Sequence, residues 1–299
     1  MHIPVLADEA INFLNVQKDG IYVDATAGAG GHSGKILEKL ERGALIAIDA
    51  DGAALETAAS GLEKYAGKVK FVNGNFADIG AILNGLYIKG IDGILYDLGI
   101  SSMQIAEAKR GFSFMQDGPL DMRMDTNRRF NAGDIIDSYP EEELRRIFIS
   151  YGQDRWAARV ARRIVEARKS EDIKTTLQLS KIIKDSIPAG YIRKSRIDPS
   201  TRIFQALRIE VNNELKNLSD TLPGAMSFLK PGGRMVVLSY HSLEDRIVKN
   251  FFRGNKGVLK TLTKKPVVPS DEEVGRNARS RSALLRAAEM MPPVKYAGE

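Results

Sequence analysis

A glycine-rich turn between an apolar strand and a helix constrains this chain more than any other stretch. The run is Val23-Asp24-Ala25-Thr26-Ala27-Gly28-Ala29-Gly30-Gly31-His32-Ser33. Before it, Ile21-Tyr22-Val23-Asp24 reads as a short buried strand. After it, Ser33 to Leu40 places Ile36, Leu37 and Leu40 on one helical face. Glycines at such a junction let the backbone approach a ligand closely, where the helix begins. Ala44-Leu45-Ile46-Ala47-Ile48 forms a second strand that ends at Asp49, and residues 52–65 are helical. Val69-Lys70-Phe71-Val72 makes a third strand and Gly93-Ile94-Leu95-Tyr96 a fourth. Strands at this spacing with helices between them imply βαβ units and a parallel sheet, hence an α/β fold.

The rhythm breaks after residue 110. Residues 111–130 are rich in Gly, Met, Asp and Arg and suit a packed functional loop, and helical patterns then run from about 132 to 187. Pro140 sits at a helix start, with Glu141, Glu142 and Glu143 in the first turn, where acids suit the helix dipole. Another helix runs from about Thr201 to Asn217. The α/β pattern returns at the turn Leu229-Lys230-Pro231-Gly232-Gly233 and the strand Arg234–Ser239. The helical block is therefore expected as an insertion after the fourth strand. The expected boundaries are 1–108 with 205–299 for the sheet domain and 109–204 for the insert.

Composition narrows the setting. The chain has no cysteine and only His2, His32 and His241, which excludes disulfides and thiolate chemistry and argues against a histidine-rich metal site. No apolar run reaches the roughly 20 residues a membrane helix needs, and the N-terminus lacks a signal-peptide pattern. A cytoplasmic protein without a membrane partner is expected. The net charge of +6 is uneven: residues 253–286 carry nine Lys/Arg against three Asp/Glu. A basic region on an otherwise mixed chain suits a polyanionic partner, although a solvated surface has the same composition.

Four stretches carry chemistry. At the glycine turn, Asp49 on the next strand is placed to take two hydrogen bonds from a ribose diol. S-adenosylmethionine, a dinucleotide and a ligand-free turn all fit this pattern; the dinucleotide fingerprint is incomplete, with Ser33 where its third glycine belongs. Tyr96-Asp97-Leu98-Gly99-Ile100-Ser101-Ser102 puts an acid at a strand end that lines the ligand crevice of open α/β sheets. Arg110 through Asp125 mixes Phe112, Phe114 and three methionines with charges, as a pocket for a flat base would. Leu238-Ser239-Tyr240-His241-Ser242-Leu243-Glu244-Asp245-Arg246 sets a histidine where a strand meets a helix.

Taken together, these stretches resemble the bacterial methyltransferases H of the small ribosomal subunit RNA. The resemblance runs from His2 to the Arg-Ser-Arg-Ser stretch at 279–282 and includes Thr201-Arg202-Ile203-Phe204-Gln205-Ala206-Leu207-Arg208-Ile209. It implies a Rossmann-like class I methyltransferase sheet with an inserted all-helical, substrate-recognising domain. It also implies S-adenosyl-L-methionine as cofactor, with Gly30, Gly31 and His32 forming the turn around it and Asp49 on its ribose. Phe76 would lie beside the adenine, and Asp97 and Gln104 near the methionine end and the substrate entrance. The implied reaction methylates N4 of a cytosine in the 16S decoding centre, and the implied partner is 16S rRNA in the assembled small subunit; a homodimer is left open. Asp97 is then the expected acceptor for the amine, with Ser101 as alternative and His241 as proton relay. The Pro-Pro-Tyr/Phe found after strand four in many amino-methyltransferases is missing, so Phe112, Phe114 and Tyr240 are the candidates for an aromatic wall. Two other readings stay open: a DNA amino-methyltransferase, and a non-catalytic cofactor-binding module that assists ribosome assembly.

Overall fold

The computed structural model describes residues 4–195 and 197–293. The chain divides into two compact units. One comprises the residues up to Gly99 and those from Leu215 onward, and the other comprises Ile100–Glu214.

The first unit is built on seven strands: β1 (Ile21–Asp24), β2 (Ala44–Asp49), β3 (Val69–Asn73), β4 (Ile91–Asp97), β5 (Leu229–Ser239), β6 (Leu259–Thr261) and β7 (Leu284–Met290). Their order is β3-β2-β1-β4-β5-β7-β6. The strands from β3 to β5 pair in parallel, and β7 runs antiparallel to both β5 and β6. The alternating apolar residues explain the layers. Leu45, Leu95, Val236 and Leu238 share one core with Ile11, Leu14, Ile36 and Leu37 from the helices Ala7–Leu14 and Gly31–Leu37. Ile46, Ile48, Ile94, Tyr96, Met235 and Val237 share the opposite core with Leu218, Leu222, Val248 and Phe252 from the helices Glu214–Phe228 and Ser242–Gly254. Covering both faces is what parallel strands with near-continuous apolar runs require. The strand order reverses between β1 and β4, and ligands of open α/β sheets bind in the crevice at such a switch point.

The second unit is all-helical apart from an isolated Pro119–Thr175 bridge. Leu144, Ile147, Phe148, Val160, Ile164, Leu179 and Ile183 form its core with Ile203, Phe204 and Leu207. The second unit spans 100–214, where the sequence led to an expected insert of 109–204. The helix Ser200–Asn212 buries Ile203, Phe204, Ala206, Leu207 and Val211 in the insert's core, so a boundary at 205 would cut through a packed helix. The 111–131 stretch is irregular, as expected. Asn212 holds it, its amide donating to the Met122 carbonyl (2.7 Å) and its Oδ1 accepting from Met124 N–H (2.8 Å).

Two features of the sheet depart from expectation. The turn at 229–233 lies within β5, where the ladder to β4 slips between Ile91 and Gly93. Strands β6 and β7 were not anticipated: the first has three residues, and the second carries Arg286, whose guanidinium is paired with Asp245. No helix among the described residues is long and apolar enough to cross a membrane.

Candidate active site

The strand ends of the first unit converge on two carboxylates. Gly28 and Gly30 have φ of +52° and +85°, a region that glycine enters without penalty. A Cβ on Gly30 would lie 3.0 Å from Leu62 Cδ1, so the turn packs tightly there, whereas a Cβ on Gly28 would meet nothing within 4 Å. Open space therefore lies against the backbone of Gly28. Asp49, at the end of β2, ties into this turn. Its Oδ2 accepts from Gly28 N–H at 2.7 Å and its Oδ1 from Asp51 N–H at 2.9 Å. Each oxygen keeps a further acceptor site, since a carboxylate offers about four.

Burial pushes the Asp49 carboxyl up to about 6, against the pull of the two backbone N–H groups and with the Asp51 and Asp24 carboxylates adding to the rise. The anion is the form that accepts two more hydrogen bonds, so ligand affinity at this residue should fall as pH drops through 6. Between pH 7 and pH 5 the ionised fraction falls about tenfold. Titration calorimetry with S-adenosylmethionine over this range should show a comparable loss, and an Asp49→Asn variant should lose the pH dependence.

Asp97 ends β4 and is held on three sides. Its N–H donates to Thr26 Oγ1 (2.6 Å), its Oδ1 accepts from the Tyr240 hydroxyl (2.7 Å), and its Oδ2 lies 3.4 Å from His32 Nδ1. Burial and the adjacent Asp97 carboxylate push the Tyr240 phenol well above its ordinary range, so Tyr240 stays a donor. His32 is 4% exposed, and its Nε2 lies 3.0 Å from the Val5 carbonyl. Phe76 begins a short 3-10 turn after β3, with its ring edge-on to Tyr96 at 5.8 Å and its carbonyl accepting from the Thr221 hydroxyl (2.7 Å).

Gly30, Gly31, His32, Asp49, Phe76 and Asp97 thus all lie in the first unit, in the segments that follow or end β1 to β4. Ser101 and Gln104 belong to the inserted unit. They form a reciprocal cap on the helix Ser102–Ala106: Ser101 N–H donates to Gln104 Oε1 (2.9 Å) and Gln104 N–H to Ser101 Oγ (3.2 Å). His241 likewise caps a helix, its Nδ1 accepting from Glu244 N–H (3.4 Å) and its Nε2 3.3 Å from Glu244 Oε1. The ring is turned toward its own helix, so His241 has a capping role beside the proton-relay role expected of it. The three aromatic candidates fall in different units. Phe112 is buried in the insert's core and Phe114 packs edge-on against Phe204 at 5.0 Å, whereas Tyr240 holds Asp97 within the first unit. Sequence reasoning missed Thr26, Val5 and the hydroxyl role of Tyr240; only the position of Tyr240 beside a strand end hinted at any of them.

A doubly covered sheet with an antiparallel β7, a glycine turn after β1 and acids ending β2 and β4 defines a class I methyltransferase. The MraW methylase family matches residues 1–291, and the chain belongs to that family. The ribosomal RNA small subunit methyltransferase H of Halothermothrix orenii is 46% identical, over 96% of this chain and 98% of its own. The protein of that name from Carboxydothermus hydrogenoformans is 45% identical over 97% and 98%. The methyl donor is S-adenosylmethionine, and the residues fit it: open space against Gly28, a carboxylate with spare acceptor sites at Asp49, and an aromatic ring at Phe76.

Proposed function

We propose that this methylase acts on N4 of a cytosine in the decoding centre of 16S ribosomal RNA, presented by the assembled small subunit in the cytoplasm. The relatives named above, aligned over nearly the whole chain, support an RNA substrate of that subunit. The observation that carries the chemistry is the Asp97 carboxylate, fixed by Tyr240 and His32 at the end of β4.

The amine of cytosine is a poor nucleophile because its lone pair is delocalised into the ring. A carboxylate that accepts one N–H draws the nitrogen toward tetrahedral geometry and frees that pair. The bound cofactor would supply an electrophilic methyl group on a sulfonium, so no strong base is needed beforehand, and the proton that the methylated amine must then lose passes by way of the Asp97 carboxylate to water. Alignment then provides most of the acceleration, with effective molarities that reach about 10⁵ M or more. Asp97 suits this work because its backbone and both oxygens are already tethered, so its direction is set before substrate arrives. Tyr240 offers a ring beside the carboxylate, and a base leaving its stack needs such a surface. A Cβ on Gly99 would lie 3.3 Å from that ring, so the bare residue after Leu98 leaves the ring its place.

RNA binding falls to the basic surfaces. Arg155, Arg159, Arg162 and Arg163 are exposed on the insert, as are Arg193 and Lys194; Arg196 lies outside the described residues. Counterion release makes such binding steeply salt-dependent. Neutralising Arg193, Lys194 and Arg196 together should raise the Michaelis constant for small subunits more than it lowers turnover. Equal kinetics across a salt series would make this segment a solvated surface only. The substrate reading itself is tested by offering labelled cofactor with assembled small subunits, naked 16S RNA and DNA. Label on the subunits supports it; label on DNA, or on no nucleic acid, overturns it.

A further inference from the structure

The His32 ring is buried and faces two acceptors. Its Nε2 lies 3.0 Å from the Val5 carbonyl, which can only accept, so Nε2 carries a proton. Its Nδ1 lies 3.4 Å from Asp97 Oδ2, and the other oxygen of that carboxylate accepts a hydrogen bond from the Tyr240 hydroxyl. A neutral imidazole has one N–H and would set a lone pair against one of these oxygens. We propose that His32 is held as an imidazolium whose two N–H groups tie the Val5 segment to Asp97, which makes it a positioning residue for the carboxylate that meets substrate. This rests on the Asp97 reading above only for its consequence; the charge state of the ring stands or falls separately.

The balance of forces agrees. Burial opposes a charge on the ring, but Asp97 from β4, Asp24 from β1 and the Val5 carbonyl together outweigh it and raise the His32 pKa above its ordinary value. Asp24 is itself fully buried, accepting from the Ser33 hydroxyl (2.7 Å) and Thr26 N–H (3.2 Å). The same ring anchors the chain's start, where Leu6, at a φ of +48°, donates its N–H to Glu273 Oε1 (2.8 Å). The consequence for chemistry is that Asp97 works as a fixed anion, with a cation on one oxygen and a phenol on the other. It aligns the amine; it does not strip a proton in advance.

The sign for stability follows. A histidine that holds its proton more tightly when folded stabilises the fold fully below the unfolded value of about 6.5, and that contribution is lost as pH rises through the folded value. The melting temperature should therefore decline on the alkaline side.

The deciding experiment is long-range proton–nitrogen NMR of the free protein, in which only three histidines contribute and His32→Gln assigns the signal. At pH 7.5 both His32 ring nitrogens should show the protonated signature. Asp97→Asn should lower the midpoint by at least about one pH unit, since its amide donates to a neutral Nδ1. A neutral tautomer in the wild type, or a midpoint that Asp97→Asn leaves in place, overturns the proposal. Where His32→Gln folds, kcat on small subunits should fall roughly tenfold or more, and the alkaline limb that loss of the ring's proton gives the wild-type pH profile of kcat should vanish. A limb unchanged in that variant would equally overturn it.

Discussion

Asp97→Asn should keep the fold and lose at least about a hundredfold in single-turnover methyl transfer, the scale on which a positioned acid–base group acts. Asparagine preserves the shape: its carbonyl oxygen can still accept from Tyr240, and its amide can donate to a neutral His32. What it removes is the anion that holds the amine's N–H. The comparison that gives this result meaning is His241→Ala. His241 caps the helix Ser242–Gly254, and loss of a cap costs about 0.5–2 kcal/mol of stability with a smaller effect on the reaction. If single-turnover rates on small subunits fell more for His241→Ala than for Asp97→Asn, the roles assigned here would be reversed.

Asp49→Ala should weaken S-adenosylmethionine binding about tenfold or more, because hydrogen bonds to a charged acceptor contribute about 1.5–3 kcal/mol. Stability should change little, for two effects oppose each other. The variant leaves Gly28 N–H and Asp51 N–H without their acceptor. It also removes a carboxylate whose folded pKa, near 6, lies above its unfolded value of 3.8. A raised carboxylate pKa means that ionisation opposes folding; this cost is absent below the unfolded value and fully present above the folded one. At neutral pH its removal offsets the lost hydrogen bonds. Calorimetry that finds the affinity unchanged would take Asp49 out of the site.

What was legible in the sequence shares one property: contiguity. The glycine turn, the strand that ends at Asp49 and the strand that ends at Asp97 are each carried by a few adjacent residues, and parallel pairing of strands separated by helices then puts those strand ends on one edge of the sheet. The contacts that define the site's electrostatics are not contiguous. Tyr240 reaches Asp97 across 143 positions, and Glu273 reaches Leu6 across 267. No local pattern announces such pairs. Phe112 and Phe114 show the same limit: the charges around them suggest a pocket, while the packing of their rings with the insert's core is not written in any local pattern. The expected boundary at 205 falls inside the helix Ser200–Asn212, because helical periodicity shows that a helix exists but not which core it joins.

Mass mapping of 16S RNA from cells lacking this gene tests the central claim most directly. The expected result is the loss of a single methyl group from N4 of one decoding-centre cytosine, restored by the wild-type gene and not by Asp97→Asn. An unchanged methylation pattern, or a loss at a ring carbon, a ribose hydroxyl or another base, would contradict it.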